Sequence, residues 1–324
     1  MKIIATFKNG EAKDITEISG DVNIGGSKSE VSRKMEFEVI RPEVDSYLPS
    51  VDIALGSLIS FYDEKDKEQF SGVAWFRDFD DDSISQKITC YDIALYTSKN
   101  NVKTEVFNKK LCSEIATSCL SELGLPIGEL EPGVVLTFNG RNKKAYDIIM
   151  GAYKEASKKN KKQYQMVVID GKVSVVEQGK MAPIKLEYKE QHLPGGIIKG
   201  PTYSESIDNM VNAVKVIKDK EKDKKKDAAQ NNEDVENFGL VQKIIKGEEA
   251  DTKGILKSAT SEIDVECFGD FSLKTGFSVY IESKKIKGKY YIISDSHDIK
   301  DNIHTCKLKL SSENTMGGGG NSNE

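Results

Sequence analysis

Residues 23–43 read NIGGSKSEVSRKMEFEVIRPE, and the pattern changes halfway along this stretch. The first half is polar and rich in glycine and serine, which predicts a flexible loop around Gly25–Ser29. After Arg33, charged and apolar residues alternate strictly, with Lys34, Glu36 and Glu38 on one side and Met35, Phe37 and Val39 on the other. Alternation with a period of two predicts a half-buried β-strand that follows the loop, and the stretch contains no obvious catalytic residue.

Composition narrows the class of protein. A chain of 324 residues is too long for one ordinary hydrophobic core and predicts two or three domains. No apolar run reaches the roughly 18 residues of a membrane span, and the start, MKIIATFKNGEAKD, does not read as a secretory signal. We expect a soluble protein made in the cytoplasm, without membrane insertion. A net charge of −5 with interspersed signs argues against specific nucleic-acid recognition.

The chain divides into four segments by pattern. Residues 1–105 contain short β-branched and aromatic runs, with an acidic hairpin tip at 78–83, and predict a first small β-barrel. Residues 106–182 contain two amphipathic helical patterns and a hairpin at Asp170-Gly171, which predict an inserted α/β domain. Residues 183–313 predict a second β-barrel, interrupted by a mobile lysine-rich loop at 218–238, and residues 314–324 predict a flexible tail. The expected fold class is mixed and mainly β.

The two β regions share an order of events. In each, a glycine precedes a strand, a charged turn, an aromatic-headed strand, a polar tip and a last strand. The first region shows this order in GSLISFYD, FSGVAWFRDF and KITCYDIAL, and the second in TGFSVYIES, GKYYIISDSHDI and HTCKLKLSS. This similarity predicts one small barrel used twice, although any two β-meanders can share it by chance.

Catalytic groups are hard to assemble from this sequence. The five cysteines are an odd number without CxxC spacing, which predicts reduced, mostly buried thiols rather than a disulfide framework or zinc site. A metal or general base could be drawn from His297 and His304 in SDSHDIKDNIH, with His192 as the third histidine, and a thiol nucleophile from Cys112 or Cys119. The simpler interpretation is that the histidines lie on the surface and the cysteines are buried in a hydrophobic core. No cofactor or metal is expected, and we expect no enzyme.

The order of motifs resembles the baseplate hub family of contractile phage tails, in particular hubs of Gram-positive myophages and PBSX-like defective prophage particles. The distinctive phrase is LGSLISFYDEKDKEQFSGVAWF followed by YDIALY, and the resemblance covers nearly the whole chain outside the lysine-rich loop and glycine-rich tail. It implies a homotrimer whose subunits each contribute two tube-protein-like barrels, so that three chains form a ring of six around a channel. Such a ring adapts a six-fold tail tube to a three-fold spike.

The resemblance also implies partners: the tail tube protein, the central spike, and tape-measure or hub-hydrolase proteins. The chain has no obvious fused hydrolase domain, so any hydrolase is expected to be a separate chain. Because rings close through contacts between unlike surfaces, we expect the opening loop and strand to lie at a subunit or tube interface, although they could be an ordinary hairpin arm and sheet strand. The candidate interface residues are Gly25, Gly26, Ser27, Lys28, Ser29, Lys34, Glu36 and Glu38.

Two rival interpretations remain. The first is a hub-associated cell-wall hydrolase, which would need His297 or His304 near Cys267, Cys306 or a carboxylate pair in an open cleft. The second is a tail-tube or spike component of a related injection system, which differs by oligomer symmetry. The sequence does not distinguish a DNA-carrying phage from a DNA-free, phage-tail-like bacteriocin.

Overall fold

The structure, a computed structural model, describes residues 1–41, 51–79, 81–103, 106–189, 193–217, 226–246 and 255–317. The N-terminal part is almost entirely β, apart from one 3-10 turn at Thr16–Ile18 and a short closing helix. Its elements are β1 (Lys2–Thr6), β2 (Ala12–Asp14), β3 (Ser19–Ser27), β4 (Lys34–Ile40), β5 (Leu58–Tyr62), β6 (Glu68–Asp78), β7 (Ser85–Tyr91) and α1 (Leu95–Lys99).

The predicted strand after Arg33 is confirmed as β4. Its apolar residues Met35, Phe37 and Val39 are buried, while the residues between them lie on the opposite face. The acidic hairpin tip is confirmed as the connection between β6 and β7, although Asp80 lies outside the described residues. The alternation of the sequence therefore fixes which face of this strand packs against the core.

The middle part is a small α/β unit, as predicted. Its elements are β8 (Val106–Leu111), α2 (Cys112–Glu122), β9 (Ile127–Leu130), β10 (Val135–Asn139), α3 (Ala145–Asn160), β11 (Tyr164–Ile169) and β12 (Lys172–Glu177). Gly124, with φ of +65°, follows the end of α2, and Asp170 and Gly171 both adopt positive φ in the tight β11–β12 hairpin. None of the helices in the described ranges has the length and apolarity to cross a membrane.

The C-terminal part is again mainly β. Its elements are β13 (Met181–Glu187), β14 (Ile197–Ser206), β15 (Ala213–Ile217), β16 (Lys226–Gln230), α4 (Asn232–Phe238), β17 (Gln242–Lys246), β18 (Thr260–Phe268), β19 (Ser278–Glu282), β20 (Lys287–Lys300) and β21 (Ile303–Ser311). The mainly β fold class is therefore confirmed.

The prediction of a mobile loop at 218–238 is wrong for residues 226–238. Residues 226–230 form β16, which pairs with β15, and Asn232–Phe238 forms α4. The Asn231 side chain caps this helix by accepting a hydrogen bond from the Asp234 amide, and Gly239, with φ of +81°, ends it. Residues 218–225 lie outside the described residues, as do 318–324 of the predicted tail.

The predicted internal repeat is visible as a shared strand order. The first repeat runs β1-β5-β6-β7-β4-β3 and the second runs β13-β19-β20-β21-β18-β14, so corresponding strands occupy corresponding positions along both chain and sheet. Both repeats have a register shift at the same place, between Ala74 and Phe76 in β6 and between Ile292 and Ser294 in β20. They differ in the first strand, since β1 is antiparallel to β5 whereas β13 is parallel to β19.

The two repeats are not separate barrels, because β3 of the first pairs with β20 of the second and the described strands of both form one continuous sheet. Each repeat nevertheless has its own buried cluster of apolar side chains, here named the first core and the last core, and the α/β unit has a third, the middle core. Ile299 of β20 packs into the first core. The pairing of β3 with β20, hereafter the seam, therefore joins the repeats through both backbone and side chains.

Candidate functional site

The seam contains the glycine-rich stretch around Gly25 and Gly26. The prediction of a loop is wrong for Gly25, Gly26 and Ser27, which lie in β3 opposite Ser296, Asp295 and Ser294 of β20. Glycine and serine favour turns in isolation, but here β3 is hydrogen-bonded on both edges, to β4 and to β20. A Cβ on Gly25 would stand 2.8 Å from the Asp295 carbonyl oxygen, so the close approach of the strands requires a glycine there.

A buried ion pair lies under the seam. The Arg33 guanidinium donates two hydrogen bonds to the Asp295 carboxylate, at 2.9 and 2.5 Å, and passes so close to Gly26 that a Cβ there would meet its Nη1 at 2.9 Å. The backbone amide and hydroxyl of Thr275 each donate to Asp295 Oδ1 at 2.7 Å. Burial alone would raise the pKa of Asp295, but the charge and hydrogen bonds of Arg33 hold it far below its usual value.

The two C-terminal histidines continue this buried cluster. Nδ1 of His297 lies 2.9 Å from Nε2 of His304, and Nε2 of His297 lies 3.1 Å from the Leu273 carbonyl oxygen. This geometry fits His297 donating from Nε2 to the carbonyl and accepting at Nδ1 from His304. Burial, and then the neighbouring His297, lower the pKa of His304 to about 4, while Phe271 stacks against both rings.

A cell-wall hydrolase would need His297 or His304 close to a cysteine or a carboxylate pair in an open cleft. His297 Nε2 lies 3.9 Å from the Cys306 sulfur and 3.4 Å from Asp295 Oδ2, but all three side chains are buried beneath the sheet rather than exposed in a cleft. Burial raises the pKa of Cys306 well above its ordinary value, so the sulfur is held as a thiol. Cys112 and Cys119 are buried in the middle core, and His192 lies outside the described residues. Among the described residues, no three His, Cys, Asp or Glu side chains converge as metal ligands would.

The opposite face of the sheet has a central patch that is polar across five adjacent strands. At three outward positions on each of β4, β3, β20, β21 and β18, every residue is charged, a small hydroxyl or amide residue, or glycine, and none is fully buried. We call these fifteen positions the polar face. They are Asn23, Gly25, Ser27, Lys34, Glu36, Glu38, Glu262, Asp264, Glu266, Ser294, Ser296, Asp298, Thr305, Lys307 and Lys309.

Charges on the polar face are paired within and between strands and have an acidic excess. Lys34 lies 2.9 Å from Glu36, Lys309 lies 2.8 Å from Glu262, and Asp298 accepts a hydrogen bond from Asn23 at 2.6 Å. With three lysines and six acidic residues, the face has a formal net charge of −3. A sheet with one apolar and one fully polar face is expected where the polar side meets water.

The predicted interface residues can now be placed. Gly25, Ser27, Lys34, Glu36 and Glu38 come together on the polar face, whereas Gly26 is buried against Arg33 on the other side. After β3, Ser29 hydrogen-bonds to Ser27, and Lys28 donates to the Thr315 carbonyl at 2.7 Å. Burial lowers the pKa of Lys28 to about 8. Contact of these residues with another subunit stays a prediction, but β3 has no edge left to receive a further strand.

A cleft of about 840 Å³ lies behind the seam, where the two repeats and the α/β unit meet. Its wall includes the β5–β6 turn, the β11–β12 hairpin and the segment from Phe268 to Thr275. Lys274 reaches across it and donates to Gln69 Oε1 at 3.1 Å. Burial, with a smaller contribution from Arg33, lowers the pKa of Lys274 to about 8. The hydrogen bond from the half-buried Lys274 to Gln69 therefore links the second repeat to the first across the cleft.

Sequence reasoning missed the ion pair, although a signal for it was present. Within SDSHDI, alternation places Asp295 and His297 on the inward face of β20, where apolar residues are the rule. A charged residue at an inward position needs a buried partner of opposite charge. Arg33, which precedes the alternating stretch of β4, is that partner, but no sequence pattern indicates a pairing across 262 positions.

Comparison with known proteins gives a consistent family and fold. A family model described as YQBQ-like matches residues 22–311. Two curated relatives come from Bacillus subtilis (strain 168). The uncharacterized protein YqbQ is 22% identical, over 97% of this chain and 98% of its own length. The phage-like element PBSX protein XkdQ is 24% identical, over 92% of this chain and 94% of its own length.

Solved structures share the fold at low sequence identity. The 43 kDa tail protein of prophage MuSo2 from Shewanella oneidensis has a TM-score of 0.70 at 14% identity, covering 98% of this chain and 99% of its own. The E. coli c3393 protein is a type VI secretion component described as structurally similar to the T4 tail proteins gp27 and gp5. It has a TM-score of 0.53 at 7% identity, covering 90% of this chain and 73% of its own.

Proposed function

The chain belongs to the YQBQ-like family, and from this membership we propose that it is the structural baseplate hub of a contractile phage tail or phage-tail-like bacteriocin. In this role it forms a trimeric ring that adapts the six-fold tail tube to the three-fold spike. The relative from the PBSX phage-like element and the prophage tail protein with the same fold support a place in the tail.

The observation that carries the proposal is the pair of repeats within one continuous sheet. Each repeat has the same strand order and its own core, and the two lie side by side through the seam. Three copies of such a chain around an axis supply six similar units, which is what a three-fold body needs in order to face a six-fold tube. A chain with a single repeat would match only one of the two symmetries.

The polar face gives this ring a channel wall. With the two apolar cores on the far side of the sheet, the polar face is the surface suited to a water-filled lumen. Its acidic excess repels a polyanion such as DNA, so that a nucleic acid could pass without binding. The proposal includes no specific nucleic-acid recognition and no membrane insertion.

The remaining parts of the role follow from the same position in the tail. The hub is assembled in the bacterial cytoplasm and contacts the tail tube protein on one side and the central spike on the other. Tape-measure or hub-hydrolase proteins approach it as separate chains. The hub itself is not an enzyme, and the burial of His297 and Cys306 supports this part of the proposal.

Native mass spectrometry and electron microscopy of the purified full-length chain test the proposal. We expect a particle of three times the 35.9 kDa chain mass, with ring-shaped projections that show six lobes. A hexamer would favour a tail-tube component instead, and a chain that stays monomeric at high concentration would overturn the hub assignment. A cleared zone in a peptidoglycan gel would contradict the non-enzymatic role.

A further inference from the structure

Two strand edges in the structure are free although their counterparts in the other repeat are paired. Among the described residues, β14 pairs along one edge only, with β18, apart from a single bridge between Glu187 and Gly196 just before the strand. On β6, the pairing with β5 stops at Val73, and the Ala74 backbone still bonds to Gly56 and Ser57. The end of the strand from Trp75 to Asp78 therefore has one edge without a partner strand in the described chain. An unpaired edge presents backbone donors and acceptors that can receive another strand.

The seam indicates which strands these free edges can pair with. In the sheet order of the repeats, β6 corresponds to β20, and β3 corresponds to β14. The second half of β20 pairs with β3 inside the chain. The equivalent contact on the other side of each repeat would join the second half of β6 to β14. Within one chain the two strands cannot meet, because β14 ends the sheet path and six strands lie between it and β6.

We propose that the second half of β6 pairs antiparallel with β14 of a second copy of this chain, repeating the seam between subunits. This inference rests on the proposed function, since the contact joins unlike surfaces and closes a ring when three copies repeat it. It goes further than that function by naming the two strands, their direction and their register.

The register follows from the matched ladders of the two repeats. Because both repeats have the same register shift, Phe76 and Arg77 of the first repeat correspond to Ser294 and Asp295 of the second. Following the ladders through β4 in the first repeat and β18 in the second, Gly26 of β3 corresponds to Glu205 of β14. In the seam, Asp295 faces Gly26 and His297 faces Ile24. Transferred to the subunit contact, this register places three pairs opposite one another: Phe76 with Ser206, Arg77 with Glu205, and Phe79 with Tyr203.

The chemistry of these pairs is complementary. Arg77 and Glu205 bring opposite charges together. In the single chain, Arg77 donates to Asp52 at 2.6 Å, and Glu205 accepts a hydrogen bond from Tyr203 at 2.6 Å. Phe79, directly after β6, and Tyr203 of β14 are large aromatic residues that are 51% and 45% exposed, and in the single chain the Phe79 ring contacts the Arg41 guanidinium at 4.7 Å. Opposite each other, they would fill the position that His297 and Ile24 fill in the seam.

Disulfide trapping of the full-length chain tests the register directly. Residues directly opposite on antiparallel strands lie within reach of a disulfide, so Phe79→Cys combined with Tyr203→Cys is expected to cross-link subunits under mild oxidation. The five native cysteines are buried and should not interfere. The matched control pairs Phe76→Cys with Tyr203→Cys, which moves one thiol about 10 Å along the strand and should not cross-link.

Charge exchange gives a second readout that does not depend on new thiols. Arg77→Glu or Glu205→Arg alone should raise the dissociation constant of the trimer about tenfold, and the double exchange should restore it. Lys154→Glu, an exposed position on α3 of the α/β unit, serves as the control and should leave trimer assembly unchanged.

The outcomes separate this inference from the hub assignment. Covalent trimers from the Phe79–Tyr203 thiol pair alone, together with rescue by the charge exchange, support the pairing. A normal trimer that cross-links equally through the control pair, or through neither pair, overturns the register while leaving the hub proposal intact. Open-ended covalent ladders, or no oligomer at all, contradict the three-fold ring itself.

Discussion

At the scale of single residues, the most informative side chain is Asp295. It is 2% exposed and lies between the Arg33 guanidinium and two donors from Thr275, at the point where the two repeats join. A buried carboxylate with three polar partners is costly to desolvate but strongly selects the one geometry that satisfies it. Asp295 therefore specifies the alignment of β20 against β3 as well as contributing to stability.

Asp295→Leu should lower the free energy of unfolding by about 3 kcal/mol, because it leaves the Arg33 guanidinium buried without a carboxylate. Urea denaturation followed by the fluorescence of Trp75, the single tryptophan, measures the loss. Asp298→Asn provides the control on the polar face of the same strand and should cost less than about 1 kcal/mol. Equal losses in the two variants would contradict the role given to the buried pair.

His304 should make the protein less stable in mild acid. In the unfolded chain it binds a proton near pH 6.5, whereas burial holds it neutral in the fold down to about pH 4. Between these values the unfolded state binds more protons, so the free energy of unfolding falls as the pH is lowered through this window, by about 2 kcal/mol at pH 4.5.

His304→Gln, which keeps an N–H donor for His297, isolates this contribution. The decrease in stability from pH 7.5 to pH 4.5, measured by urea denaturation, should be smaller in the variant than in the wild type. Asp92, whose pKa is raised to about 6 mainly by burial, acts in the opposite direction in both proteins and cancels in the comparison. Parallel pH profiles for the two proteins would show that His304 is not held neutral.

At the scale of elements, sequence patterns predicted most strands and both long helices because each has a clear period or turn signal. They failed at β3, where Gly25–Ser27 form a strand only because both edges are paired by distant parts of the chain. They failed again at residues 226–238, because the high charge of the segment predicted a mobile loop. The capping residues Asn231 and Gly239, which mark the two ends of α4, were the signal for a helix there. Of the candidate site, the polar side of β4 could be predicted, but the seam and its ion pair depend on a long-range register.

At the scale of the whole molecule, the continuous sheet makes the two repeats one mechanical unit. The β3–β20 ladder, the Arg33–Asp295 pair and Ile299 in the first core all cross between them. We therefore expect the repeats to unfold together rather than in sequence.

The native cysteines are built-in probes for this prediction, because each core contains at least one buried thiol: Cys90 in the first, Cys112 and Cys119 in the middle, and Cys267 and Cys306 in the last. Pulsed thiol labelling across a urea series, read by mass spectrometry, should modify Cys90 and Cys267 over the same range of urea concentration. Modification of Cys90 well before Cys267 would show that the seam does not couple the repeats. The middle thiols report separately on the α/β unit.

The seam also changes what assembly requires. In a ring of six similar units built from three chains, three of the six contacts lie inside the chains. One of them forms as each chain folds, so its strength does not depend on protein concentration. Each association of free bodies loses translational and rotational entropy worth about 4 to 15 kcal/mol, and three chains need two such steps where six single units would need five. The proposed ring can therefore close at a lower protein concentration than a ring of six single units.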